Sequence, residues 1–358
     1  MNKVHRTGII LVIQAFLILA GGCASTIKIT SVAEKDKDGE FLLKWEVSPD
    51  QDGTIDIYSS TSDSSLNAFM PVASTNVSDQ VARINPTGTG IREFFLLSTS
   101  GVYSGIVSNR VIEMDNIKNF RDLGGYYNID NKQVRWGKIF RSGDLSNADL
   151  YDKDKIRTLG IKTVIDFRSE GNAKAFPILL HPDIIRVFLP IPLMDKEVME
   201  GHINEKNFTR ADAIRYMQDS YIDIIENYKK EFSEMFDVLV SESNYPILLS
   251  EALGKDRVGL ASFLILSALD VPENAIMDDY LLSNRTIDLR TTIDYAQTLP
   301  EYMQEAITAM LSVNRVYLEY TIDYIKQKYG SVNNYLEKEL KITQGKKTLL
   351  RKYLFYNP

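Results

Sequence analysis

Residues 245–259 read Tyr245-Pro246-Ile247-Leu248-Leu249-Ser250-Glu251-Ala252-Leu253-Gly254-Lys255-Asp256-Arg257-Val258-Gly259. These are residue types that can hold an anion. Ile247 to Leu249 form an apolar strand pattern, and the polar turn after it contains Gly254 and Gly259. The run from Leu260 to Leu269, with Leu260, Phe263, Leu264 and Leu266, suits a buried helix. A strand, a glycine-containing loop and a helix N-terminus bring successive N–H groups together and add the partial positive charge of the helix dipole. Arg257 stands where the loop enters the helix, and its planar fork could hold two phosphate oxygens.

The stretch resembles the signature loop of the bacterial tyrosine/dual-specificity (tyrosine/serine) protein phosphatases, which reads His-Cys-x-x-Gly-Lys-Asp-Arg-Thr-Gly. Gly254, Lys255, Asp256, Arg257 and Gly259 match it, and Ala252 and Leu253 fill the two variable positions. Glu251 falls on the nucleophilic Cys, Ser250 on the His and Val258 on the Thr. The single cysteine of the chain is Cys23, so no other thiol can stand in. In the family, the loop N–H groups and the Arg hold phosphate and lower the Cys pKa, so that a thiolate attacks phosphorus. The resemblance makes Asp256 a candidate general acid and Lys255 a candidate contact for a further substrate phosphate.

The elements around this loop extend the resemblance. Asn119-Phe120-Arg121-Asp122-Leu123-Gly124-Gly125-Tyr126 resembles the family's N-terminal hallmark, and Arg141-Ser142-Gly143-Asp144-Leu145-Ser146 follows a hairpin pattern through Asn128 to Gly137. Leu159 to Ser169 reads as a buried strand ending in polar residues. Ligands gather at the carboxyl ends of strands in open α/β sheets, which places Asp166 and Arg168 at the edge of the site. The structural alternative is that Arg121, Asp144, Asp166 and Arg168 pair with one another to hold loops. Pro272 opens a helix through Met277 to Leu282, and Tyr280-Leu281-Leu282-Ser283-Asn284 is similar to the family's Tyr-Leu-x-x-Asn ending. One helical stretch is expected from Pro300 to Tyr329. Gly330 then stops it, Ser331 caps the next helix, and Tyr335-Leu336 resembles the family's C-terminal segment. The resemblance covers about Asn116 to Phe355 and implies an α/β phosphatase fold, a central sheet flanked by helices, over residues 115–358.

Residues 23–114 follow a different pattern. Ile27 to Ile29, Phe41 to Val47 and Ile55 to Tyr58 alternate apolar and polar residues between polar turns, and further strands are expected from Arg92 to Leu97 and Gly105 to Ile112. Regular short strands suggest a small all-β sandwich domain. The Trp45 strand followed by Ile57 to Ser60 resembles fibronectin type III or immunoglobulin-like modules. Such a module could bind a ligand or serve as a spacer that lifts the next domain off a membrane.

Residues 1–22 resemble a bacterial lipoprotein signal. Lys3, His5 and Arg6 precede an apolar run from Gly8 to Ala20, too short for a transmembrane helix, and Leu19-Ala20-Gly21-Gly22-Cys23 resembles a lipobox. This implies a lipidated Cys23 and a chain anchored in the bacterial cell envelope, outside the cytoplasm. Ordinary cleavage near Ala24 is the alternative. With Cys23 consumed, no disulfide is available. At 358 residues and 44% hydrophobic content the chain can bury a substantial core. A net charge of −7 and a pI near 5.2 argue against nucleic-acid binding. His181 and His202 have no spaced partners of the kind a metal site needs, so neither metal nor cofactor is expected.

Three readings of function are open. A carboxylate at position 251 would be kept ionised by the loop amides. At an effective dielectric of 20, two like unit charges 4 Å apart cost about 4 kcal/mol, and a phosphate dianion pays roughly twice that. The first reading is therefore a loop filled from within, on a catalytically silent phosphatase fold that binds a phosphorylated protein, a phospholipid or another partner. The second is an active phosphomonoester hydrolase with a non-cysteine nucleophile, Glu251 or, more weakly, Ser250, because carboxylates can form acyl-phosphates. Glu is longer than Cys, which would misplace the attack. The third is an envelope protein that works through its β-sandwich.

Overall fold

The computed structural model describes residues 26–356 apart from 37, 65, 67–69, 87–90, 194–200, 202–207 and 290–297. Cys23, the signal-like segment and His202 lie outside the described residues.

The N-terminal region contains β1 (Lys28–Lys35), β2 (Phe41–Ser48), β3 (Thr54–Ser60), β4 (Ala73–Asn76), β5 (Val81–Ile84), β6 (Phe94–Thr99), β7 (Val102–Tyr103) and β8 (Val107–Ser108). They form two antiparallel sheets, β1-β2-β5 and β4-β3-β6-β7, with β8 paired to β6. Alternate residues point inward, as a half-buried strand requires. Phe41, Leu43 and Trp45 of one sheet meet Ile55, Ile57, Phe95 and Leu97 of the other in one core. Trp45 donates its ring N–H to the Val77 carbonyl at 3.0 Å, which satisfies its buried polar atom. The strand expected over Gly105 to Ile112 is shorter than its pattern. Only Val107–Ser108 pairs within the sheet, because the chain beyond turns to bridge Arg121 at Val111.

The second region continues with β9 (Arg121–Asp122), β10 (Ile139–Ser142), β11 (Thr163–Asp166), β12 (Ile185–Phe188) and β13 (Ile247–Ser250). They form a five-stranded sheet of order β12-β11-β13-β10-β9, parallel except for β9. β13 lies in the middle and all four of its residues are buried, so its sequence is a continuous apolar run ending in serine. Ile139, Ile165, Ile247 and Leu249 face one core, while Phe140, Val164 and Leu248 face the other.

Helices cover both faces: α1 (Leu150–Thr158), α2 (Glu170–Ala175), α3 (Arg210–Asn227), α4 (Lys229–Leu239), α5 (Arg257–Ala268), α6 (Glu273–Thr286), α7 (Glu301–Leu311), α8 (Arg315–Tyr329) and α9 (Gln344–Leu354). α5 has no polar stripe and is buried almost throughout, as a helix leaving a central strand must be. Among the described residues no helix is long and apolar enough to cross a membrane. The single helix expected from Pro300 to Tyr329 is two. The amide of Asn284 donates to the Val313 carbonyl at 2.8 Å and its oxygen accepts from the Val313 N–H at 2.9 Å, while Asn314 caps α8. The backbone groups that would continue the helix are thus taken by a side chain. Gly330 ends α8 and the Ser331 hydroxyl accepts from the Asn334 N–H, as expected.

The two regions share a buried seam. Arg92 donates to Asp122 at 2.5 Å and lies against the rings of Phe94 and Trp136. Arg110 bonds the carbonyls of Asp122 and Gly124 at 2.9 and 2.6 Å. The Ile106 carbonyl accepts from both Trp136 Nε1 and Gln133 Nε2, at 2.8 and 2.7 Å. The Tyr127 hydroxyl packs against Gly105, where a Cβ would lie 1.5 Å from its oxygen, so a larger residue there would have to displace that side chain.

Candidate functional site

β13 ends at Ser250 and α5 begins at Arg257, so the six residues 251–256 turn the chain from strand to helix. Outside contacts fix this turn by its carbonyls. The Ala252 carbonyl accepts from the Asp144 N–H at 3.1 Å. The Asn119 amide donates to the carbonyls of Leu253 and Gly254 at 3.0 and 2.8 Å, and Arg141 Nη2 donates to Gly254 at 2.7 Å. In a trans peptide the N–H points opposite to the carbonyl. Holding these three carbonyls outward therefore turns the N–H groups of Leu253, Gly254 and Lys255 to the inside of the turn. Those amides have no acceptor among the described residues. Gly254 has φ +68°, and a Cβ there would lie 2.4 Å from the carbonyl carbon and oxygen of Ser142. Only glycine fits.

The Glu251 carboxylate occupies the mouth of α5. One oxygen, Oε1, accepts from the Asp256 N–H at 2.7 Å, and the other, Oε2, accepts from Arg257 Nη1 at 2.6 Å. Glu251 is 1% exposed and Arg257 4% exposed, so the pair is desolvated. Arg257 Nη2 donates to the Leu193 carbonyl at 2.6 Å, while its Nε has no partner among the described residues.

The other residues singled out in the sequence divide into three sets. Lys255 is fully buried and donates to Asp256 Oδ1 at 2.7 Å, so its ammonium is not presented to a ligand. The same Asp256 oxygen accepts from the Tyr221 hydroxyl at 2.6 Å. Ser250 is buried and donates to the Gly143 carbonyl at 2.9 Å. Val258 and Gly259 are buried in the first turn of α5.

Arg168, Asp144 and Asp166 do pair with one another: Arg168 Nη1 reaches Asp144 at 2.8 Å and Nη2 reaches Asp166 at 3.0 Å. Arg186 joins them, 2.6 Å from Asp166. Asp166 is in register with Ser250, so this network borders the loop at the carboxyl end of the sheet. Arg121 is not part of it. Arg121 and Arg141 converge instead on Asp279 of α6, at 3.2 and 2.7 Å. Burial alone would raise the Asp279 carboxyl, but the two guanidinium groups outweigh it and hold the pKa at about 2. Arg121 is pulled down to about 10, first by burial and then by Arg141. The Asp279 carboxylate favours the charged guanidinium but does not offset burial and the repulsion of Arg141, and Arg121 remains protonated at neutral pH. Asp279 was hidden in the sequence, and its only signal is its place directly before Tyr280-Leu281. Asp122, from the same N-terminal motif, is bound elsewhere: its carboxylate accepts from Arg92, Gly124 and Gly137 at the seam.

No group of three or more His, Cys, Asp or Glu with metal-binding geometry occurs among the described residues.

A model of the tyrosine phosphatase family matches residues 112–356. A Cupriavidus necator protein bearing the name of a tyrosine-protein phosphatase is 29% identical over 234 residues, 64% of this chain and 84% of that one. The triple specificity protein phosphatase PtpB of Mycobacterium tuberculosis is 28% identical over 259 residues, 63% of this chain and 92% of that one. Among solved structures, the Siw14 catalytic core gives a TM-score of 0.28 at 15% identity, covering 63% of this chain and 98% of that one. That likeness is too loose to bear on function.

Proposed function

We propose, from the premise that this chain belongs to the tyrosine phosphatase family, that it is a binding or scaffold protein on a phosphatase fold, silent for the cysteine mechanism. Glu251 stands at the family's nucleophile position. The observation that carries the reading is the Glu251 carboxylate itself, which takes the Asp256 N–H and the Arg257 guanidinium. These are donors that a phosphate would need. An incoming dianion must displace that carboxylate or approach it closely, at a cost of several kcal/mol. The partner class is a phosphorylated protein or a phospholipid, in keeping with the family. The lipobox-like segment before Cys23 supports an anchor on an envelope membrane through a lipidated cysteine. Metabolic labelling with a fatty acid, lost in Cys23→Ala, tests that placement.

One observation favours a second reading, an active phosphomonoester hydrolase using Glu251. The inward amides of Leu253, Gly254 and Lys255 remain available to hold phosphate oxygens.

The deciding experiment compares wild type, Glu251→Cys and Glu251→Gln on p-nitrophenyl phosphate and a phosphotyrosine peptide. Silent wild type with turnover by Glu251→Cys supports the first reading. Turnover by wild type that disappears in Glu251→Gln establishes the second.

A further inference from the structure

We propose that Tyr221 is a positioning residue of the loop, gripping one oxygen of Asp256 and so fixing both the Asp256 carboxylate and the Asp256 N–H that meets Glu251. The proposal rests on reading residues 250–259 as the protein's site, and its test needs no turnover. Tyr221 comes from α3, 35 residues before Asp256, and is fully buried. Its hydroxyl has two polar neighbours, Asp256 Oδ1 at 2.6 Å and the hydroxyl of Tyr280 on α6 at 2.8 Å. Burial, and after it the charge of Asp256, pushes the Tyr221 phenol well above its ordinary range. It therefore stays neutral and has one proton to give. A carboxylate oxygen is a stronger acceptor than a phenol, so the proton goes to Asp256 and Tyr280 donates in turn to Tyr221. The order is Tyr280 to Tyr221 to Asp256. Tyr317 packs edge-on against the Tyr221 ring, with centroids 6.0 Å apart, and limits its rotation.

Lys255 donates to the same Asp256 oxygen at 2.7 Å. Oδ1 thus has two donors, while Oδ2 takes none among the described residues. The carboxylate is clamped by one oxygen with the other left uncommitted. The N–H of Asp256 is simultaneously bonded to Glu251 Oε1 at 2.7 Å. Two helices remote in sequence therefore set the direction of the loop's last residue before α5.

Site-resolved hydrogen exchange on the full chain tests this. Loss of a bond to a charged group in Tyr221→Phe is expected to speed exchange at the Asp256 amide roughly tenfold, with the strand Ile247–Ser250 unchanged. Tyr335→Phe is the control: it removes an equally buried hydroxyl that donates to Ile225 of the same helix at 2.6 Å. It should leave Asp256 at the wild-type rate. An unchanged Asp256 rate in Tyr221→Phe, or equal acceleration by the control, overturns the proposal. If Tyr221→Phe does not fold, Tyr280→Phe decides: a faster Asp256 amide supports the relay and an unaltered one rejects it. Phosphatase activity in the wild type would end the silent reading of the loop and leave the exchange result standing.

Discussion

Arg121 and Asp122 are consecutive residues of β9, and their side chains are bound in opposite directions. Arg121 runs under the loop to Asp279 and Ser283 of α6, and Asp122 runs to Arg92 of the N-terminal region. Successive residues of a strand face opposite sides, so a two-residue strand can serve two neighbours. It ties the candidate site to the β region through adjacent backbone.

Asp279 should be the most acid-sensitive element of this arrangement. Its folded pKa of about 2 lies below the ordinary 3.8. The resulting stabilisation, about 2 kcal/mol, is complete above about pH 4 and disappears as the pH falls through about 2. Urea unfolding of Asp279→Asn should show at least that loss at pH 7 and a shallower decline in acid than the wild type. Parallel acid slopes in the two proteins would contradict the assignment.

Arg92→Met should weaken the joint between the regions. It removes the cation from a fully buried Asp122, which keeps only the N–H donors of Gly124 and Gly137. A cost of about 3 kcal/mol is expected. Scanning calorimetry should give one transition for the wild type and a lower or divided one for the variant. Two well-separated transitions in the wild type would mean that the seam does not couple the regions.

Glu251→Ala leaves the Arg257 guanidinium buried without its carboxylate, at a cost of about 3–5 kcal/mol. Inorganic phosphate should then fill the vacated donors. At a hundred times its Kd it would restore about 2.7 kcal/mol, read as a rise in Tm. The wild type should respond little. An equal rise in both proteins would sink the idea of a loop filled from within.

Gly254→Ala and Gly137→Ala separate crowding from backbone strain. Both glycines have positive φ, +68° and +72°, but only Gly254 would push a Cβ into backbone, whereas nothing lies within 4 Å at Gly137. Gly137→Ala should cost about 1–2 kcal/mol from conformation alone. Gly254→Ala should cost clearly more and should disturb the Ser142 backbone, measurable by chemical denaturation.

Much of the fold was legible locally. The apolar run Ile247–Leu249 marked a central strand because a strand covered on both faces has no polar alternate positions. Gly254 and Arg257 marked the strand-to-helix turn, and Phe41 to Val47 marked a half-buried strand. The break after Leu311 was not legible, since it depends on Asn284, a side chain from a different helix. The pairing of Arg168 with Asp144 and Asp166 was foreseen from charge and proximity to one strand end. The departure of Arg121 to Asp279 was not.

The sequence by itself determined the element types, the loop and the identity of its charged residues, because periodicity, glycine and charge are properties of neighbouring positions. Apart from the Arg168 cluster, which charges meet was decided by the tertiary structure. Glu251 closes on Arg257 within the loop, but Asp256 is gripped from α3, Arg121 and Arg141 share a carboxylate from α6, and Asp122 serves the β region instead of the site. The reason is physical. A buried charge must find a partner wherever packing brings one near, and packing joins residues with no regard to their distance along the chain.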